Sequence, residues 1–101
     1  MIKMPKNSLM SVVPSDSKTK KYVATFMING KEKKVSFGAK GYTDYLISKD
    51  KERRDRYRKR HAKDLKTNDP TRAGYLSYYL LWGDSTSLKE NIKDYKKRFK
   101  L

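Results

Sequence analysis

KKYVATFMINGKEKKVSF, residues 20–37, decides the fold. Tyr22, Ala24, Phe26 and Ile28 alternate with Val23, Thr25 and Met27, the period of a half-buried strand. Asn29-Gly30 follows, and then Lys31 to Phe37 resumes an extended pattern. Asn-Gly between two such runs is the preferred two-residue type I′ hairpin turn, because both central residues need positive φ. The turn fixes the register: Ile28 opposite Lys31, Phe26 opposite Lys33, Ala24 opposite Val35 and Tyr22 opposite Phe37. One face then collects Tyr22, Ala24, Phe26, Ile28, Val35 and Phe37. Two strands alone are marginal in water, so helices must cover that face or a third strand must join.

Downstream, Gly38 and Gly41 flank Ala39-Lys40 in a tight connector. It has neither the P-loop spacing nor GxGxxG, so it reads as a turn rather than a phosphate cradle. Residues 42–47 (YTDYLI) fit a short third strand or a lead-in to the next helix. From a cap at Ser48 or Asp50, a helix without proline or glycine is expected to run to about Lys66. Its apolar seam is thin, Tyr57, His61 and Leu65, with Ala62 beside it. Lys49, Lys51, Arg53, Arg54, Arg56, Arg58, Lys59, Arg60, Lys63 and Lys66 stand against only Asp50, Glu52, Asp55 and Asp64. Asp69-Pro70 has the form of a helix start, with a core helix running through Tyr75, Leu76, Tyr78, Tyr79, Leu80, Leu81 and Trp82 to a stop at Gly83. Ser87 and Glu90 form a capping box that opens a last helix with Leu88, Ile92, Tyr95 and Phe99 at helical spacing. Lys96, Lys97 and Arg98 crowd its end, where the helix dipole favours cations.

Upstream, residues 1–19 read as an extended N-terminal arm. Pro5 and Pro14 interrupt it, and Leu9, Met10, Val12 and Val13 form a small apolar island; the arm reads as a flexible tail or, alternatively, as a segment that docks on a partner. The expected organisation is that arm followed by a single α+β domain over 20–101: a β-hairpin or three-stranded sheet, then three helices. Tyr22, Phe26, Ile28, Val35, Phe37, Leu76, Leu80, Trp82, Leu88, Ile92, Tyr95 and Phe99 are the expected core.

The chain has 101 residues, enough for one domain. Charged residues make up 37% and hydrophobic ones 36%, but the 12% of aromatics is enough to build a compact core and argues against disorder. Lys and Arg number 26 against 11 Asp and Glu, a net charge of +15. That exceeds what solubility needs and calls for an anionic partner: nucleic acid, a membrane face or an acidic protein. There is no cysteine, so disulfides and thiol chemistry are excluded. No apolar run approaches a membrane span. The N-terminus has no continuous apolar segment of the secretory kind, which implies a soluble protein inside a cell or a particle.

Catalytic constellations are missing. His61, the one histidine, sits among Arg58, Lys59, Arg60 and Lys63 on the helix seam, and no second histidine or cysteine can join it around a metal. The carboxylates lie scattered among cations, where ion pairs are their default. Ser85, Thr86 and Ser87 read as a cap rather than as nucleophiles. Tyr57, Tyr75, Tyr78 and Tyr79 can stack on bases but suit a core. No enzyme, cofactor, metal or small-molecule substrate is expected. No helix-turn-helix, zinc-finger or RNA-recognition signature is present.

Three blocks carry a resemblance: VSFGAKGYTDYLISKDKERRDRYRKRH from Val35, DP..AG.LS...LWG from Asp69, and STSL..NI..YKKRF from Ser85. Together the stretch Lys33–Phe99 resembles a family of short basic proteins encoded by large nucleocytoplasmic DNA viruses, the giant viruses. The resemblance brings no catalytic residues with it. It implies a place in the virion, and the host cytoplasm or nucleus during assembly. Two functions follow. The first is a non-enzymatic virion structural component, a minor capsid or cement protein on acidic viral proteins or an anionic membrane face. The alternative is a non-specific, salt-dependent protein that binds or condenses double-stranded DNA. In both, Lys49, Lys51, Arg53, Arg54, Arg56, Arg58, Lys59, Arg60, Lys63, Lys96, Lys97 and Arg98 are the expected anion-binding residues.

Overall fold

The computed structural model describes residues 7–101 and is an α+β domain: a three-stranded antiparallel sheet followed by helices. The strands are β1 (Asn7–Pro14), β2 (Lys20–Ile28) and β3 (Lys31–Ala39), in that spatial order. The β2–β3 hairpin has the expected register: Tyr22↔Phe37, Ala24↔Val35, Phe26↔Lys33 and Ile28↔Lys31. Asn29 (φ 50°) and Gly30 (φ 81°) make the turn, in the left-handed region that a type I′ turn requires. Ala24, Phe26 and Phe37 are fully buried, and the Tyr22 and Phe37 rings stack across the strands at 5.9 Å.

The third strand comes from the segment read as an arm. Residues 1–6 of that segment lie outside the described residues, but residues 7–14 pair with β2 and belong to the domain. Leu9 lies opposite Phe26 and is only 3% exposed. A bulge at Met10 then shifts the pairing, so that Val12 faces Ala24. Phe26 and Ala24 share the core face, so Leu9 and Val12 do too, although they are three positions apart. Met10 is left exposed, as expected of the extra residue in a bulge. An unbroken strand cannot bury positions three apart on one face, so the apolar island carries no strand-like alternation.

Residues 42–47 do not add a strand. Asp44 caps a single helical turn, α1 (Tyr45–Ser48), by accepting from the Ile47 N–H at 3.0 Å. Asp50 caps α2 (Lys51–His61) by accepting from the Arg53 N–H at 3.1 Å, and a 3₁₀ turn continues the path over Ala62–Thr67. The next helix starts later than its Asp-Pro signal implies. The Asp69 carboxylate bonds the N–H and the hydroxyl of Thr71, so 69–72 form a turn, and α3 (Ala73–Leu76) begins only at Ala73. Residues Ser77–Leu81 extend α3 as a π-helical segment, and the Trp82 N–H reaches back to the Ser77 carbonyl at 3.1 Å.

Helix α4 (Leu88–Phe99) is capped by Ser87, whose hydroxyl accepts from the Glu90 N–H at 3.3 Å. The other half of the expected box differs: the Ser87 N–H goes to the Ser85 hydroxyl at 2.9 Å. Helix α3 and its π extension pack between β3 and α4. This central position buries Leu76, Leu80, Leu81 and Trp82 together. Tyr75, Tyr79, Tyr95 and Phe99 interlock edge-on between the π segment and α4. Of the expected core, Phe26, Phe37, Leu76, Leu80, Trp82 and Tyr95 are buried; Tyr22, Ile28, Val35, Leu88, Ile92 and Phe99 are half-buried at its margin. Leu9, Tyr75 and Leu81 join it.

Candidate anion-binding site

Helix α2 has two sides with opposite roles. Its inner side presents Arg54, Tyr57, Arg58 and His61, one per helical turn or so, as a 3.6-residue period requires. The Tyr57 ring lies between His61 (4.1 Å) and Trp82 (4.4 Å), nearly parallel to the indole. Burial is the main reason its phenol titrates above the ordinary range, with the Asp64 charge adding to it. His61 Nδ1 pairs with Asp64 at 3.0 Å. The seam is thus a stack of three rings, with His61 held by Asp64.

Arg54 is buried, which corrects its assignment as a partner-binding residue, and Arg58 is half-buried and paired within the fold. Arg54 is only 7% exposed. Its guanidinium lies 4.8 Å from the Tyr45 ring centroid and donates twice to Asp55 Oδ1, at 3.1 and 3.0 Å. Both terminal nitrogens of Arg58 donate to Asp84 Oδ1 at 2.9 Å. A buried cation needs such partners to offset its desolvation. The two arginines pin α2 to α1 and to the loop before α4.

The outer side is different. Lys51, Arg53, Arg56, Lys59, Arg60 and Lys63 are exposed, and none is ion-paired among the described residues. Arg56 and Lys59, at i and i+3, form an outward ridge on α2, and Lys63 follows them on the 3₁₀ turn. Lys49 is exposed just before the helix, in a left-handed conformation (φ 54°). On α4, Lys96, Lys97 and Arg98 are exposed at the last turn. Arg98 lies 5.0 Å from the Tyr79 ring centroid and shares a small crevice with Arg58.

Arg53 and Arg60 flank the ridge and face a cleft of about 510 Å³ between α2, the end of the β2–β3 hairpin and the π segment. Lys20 and Lys21 form the opposite wall, Tyr42 and Asp44 one end, and Phe37, Leu81 and Trp82 the floor. Lys21 Nζ lies 2.6 Å from Asp44 Oδ2, and both side chains are almost completely buried. Gly38 makes the floor possible: a Cβ there would sit 2.8 Å from Leu81 Cδ1. Sequence reasoning missed Lys20, Lys21 and Tyr42 as site residues. The lysines were the polar start of a strand, and only the fold sets them across from Arg53 and Arg60.

Among the described residues no three His, Asp or Glu side chains converge as a metal site, and no helix is long and apolar enough to cross a membrane. A family model matches residues 10–61, from β1 through the end of α2. The chain belongs to the DUF5754 family. That family is described as one of unknown function. The DUF5754 segment carries the whole sheet after Leu9, both cationic walls of the cleft, and Arg56 and Lys59 of the ridge, whereas Lys63, α3 and α4 lie beyond it. No curated protein and no solved structure matches the chain.

Proposed function

We propose that this protein is a non-enzymatic structural component that holds an acidic protein surface through the outer ridge of α2. The unpaired cations of that ridge, on a helix whose other side is pinned by Arg54, Tyr57 and Arg58, support the reading. A fixed row of cations loses less side-chain and backbone entropy on binding than a flexible basic tail would. The virion as its setting rests on the sequence resemblance, and a minor capsid or cement role is the form it takes there, against acidic capsid proteins or an anionic membrane face.

Double-stranded DNA is the second reading, and one observation favours it. The helix KERRDRYRKRH carries arginines able to fork onto successive phosphates. Binding would then follow the backbone without regard to sequence.

Titrating the protein with an acidic polypeptide and with unrelated DNA duplexes, at about 50 and about 200 mM salt, separates the two, because release of phosphate counterions makes duplex affinity fall steeply over that range. The structural reading expects polypeptide binding that persists at the higher salt and is lost in the triple variant Arg56→Glu, Lys59→Glu, Lys63→Glu. Tighter binding to every duplex, with a steep salt slope, would replace it by the DNA reading. Absence of binding to either polyanion near physiological salt would sink both.

A further inference from the structure

The cleft beside α2 differs from the ridge in being concave, aromatic and cationic at once. Its carboxylates are already engaged: Asp44 with Lys21 at 2.6 Å, and Asp64 with His61 Nδ1 at 3.0 Å. Lys20, Arg53 and Arg60 remain at its rim, exposed and without an ion-pair partner among the described residues. Tyr42, 75% exposed, stands at the same rim. An aromatic ring this exposed gains nothing for the fold, yet it offers a flat face beside three free cations. Leu81 of the π segment forms part of the floor, and π turns are frequent at functional sites. Its volume of about 510 Å³ is that of a site for a small ligand rather than a groove for a protein.

We propose that this cleft takes a nucleoside phosphate, with the phosphates on Arg53, Arg60 and Lys20 and the base against Tyr42 and the edge of the Leu81–Trp82 floor. Guanidinium groups match phosphate oxygens in pairs, and an aromatic face accepts any base by stacking. The ligand is a free nucleotide or the 5′-phosphorylated end of a single strand. This goes beyond ridge binding and departs from the expectation that no small molecule is bound.

Trp82, the chain's one tryptophan, reports on the site from its floor. The probes are adenosine 5′-triphosphate and a 5′-phosphorylated oligonucleotide, with adenosine and inorganic tripolyphosphate as controls, all followed by indole fluorescence. Saturable binding of the nucleotide at least about tenfold tighter than of either control is expected, and the oligonucleotide arm shows whether a strand end serves as well. Arg53→Ala and Arg60→Ala should each weaken it about tenfold, the loss expected when a charge-assisted hydrogen bond goes, and Tyr42→Ala should weaken it too. Lys59→Ala, on the outer ridge, should leave it unchanged. Tripolyphosphate binding as tightly as the nucleotide, an equal effect of Lys59→Ala and Arg60→Ala, or no saturable change would overturn the proposal. Polypeptide binding by the same variants, measured in parallel, keeps that failure distinct from failure of the ridge.

Discussion

Gly30 and Gly83 are glycines for different reasons. Gly30 has φ +81° and open space where a Cβ would stand, so only backbone strain resists a side chain there. Gly83 is absent from the positive-φ residues, but its Cβ would lie 2.1 Å from the Tyr79 carbonyl oxygen and 2.8 Å from Asn91 Cγ. Asn91 belongs to the same joint. Its amide donates to the Leu80 and Ser85 carbonyls at 3.0 and 2.8 Å, and its Oδ1 accepts from the Ser85 N–H at 3.0 Å. Gly30→Ala should therefore cost about 1 to 2 kcal/mol, the left-handed penalty. Gly83→Ala should cost about 4 kcal/mol or prevent folding, since backbone must move. Asn91→Ala, which orphans two carbonyls and an N–H, should cost about 2 to 3 kcal/mol. Urea midpoints read by Trp82 fluorescence check the order; equal midpoints for the two glycine variants would contradict it. The sequence marks Gly83 as a helix stop, but for the usual left-handed reason; the close approach of Asn91 is invisible until α4 is in place. Arg54 is the same kind of case. Nothing in a run of arginines says which one turns inward, because its partners Tyr45 and Asp84 lie on other elements.

At the scale of elements, legibility followed whether a signal was local. The hairpin is local, since Asn29-Gly30 and the alternation around it dictate turn and register together. Asp50 and Ser87 are local caps, and both hold. Strand β1 is not local. Its bulge destroys the alternation that would have revealed it, and its partner strand begins only after a separate turn. The π segment is equally hidden, because it answers to packing on both sides rather than to its own sequence. The role of β1 can be tested with neighbouring residues. Leu9 is buried against Phe26, and Met10 is 55% exposed on the bulge. Leu9→Ala should destabilise by about 2 to 5 kcal/mol, the range for a truncated core leucine. Met10→Ala should stay within about 0.5 kcal/mol. If residues 7–14 were a loose arm, both variants would unfold at the wild-type urea concentration.

For the whole molecule the controlling quantity is charge. The excess of +15 is legible from composition, but which cations are free is not, because pairing depends on the fold. Apart from Lys3 and Lys6, outside the described residues, this charge is spread over a body of 46 × 27 × 24 Å. Neighbouring cations thus lie within a Debye length, about 10 Å at 0.1 M salt. Two effects of salt oppose each other. Screening weakens exposed ion pairs, of which Lys34–Glu32 and Arg72–Asp69 are examples at 3.7 and 3.6 Å; such pairs contribute at most about 1 kcal/mol. The buried Lys21–Asp44 pair is shielded from ions and changes little. Screening also relieves repulsion along the ridge and at the end of α4, whose cations form no ion pair among the described residues, and that repulsion destabilises the compact state. Repulsion involves many more charges than the exposed pairs do, so it wins. The melting temperature should rise as sodium chloride goes from about 10 to about 300 mM, by about 4 °C or more if relief reaches 1 kcal/mol in a domain of this size. Thermal melts followed by circular dichroism decide the sign. A fall in melting temperature with salt would mean that the ion pairs, rather than the unpaired ridge, dominate the electrostatics of the fold.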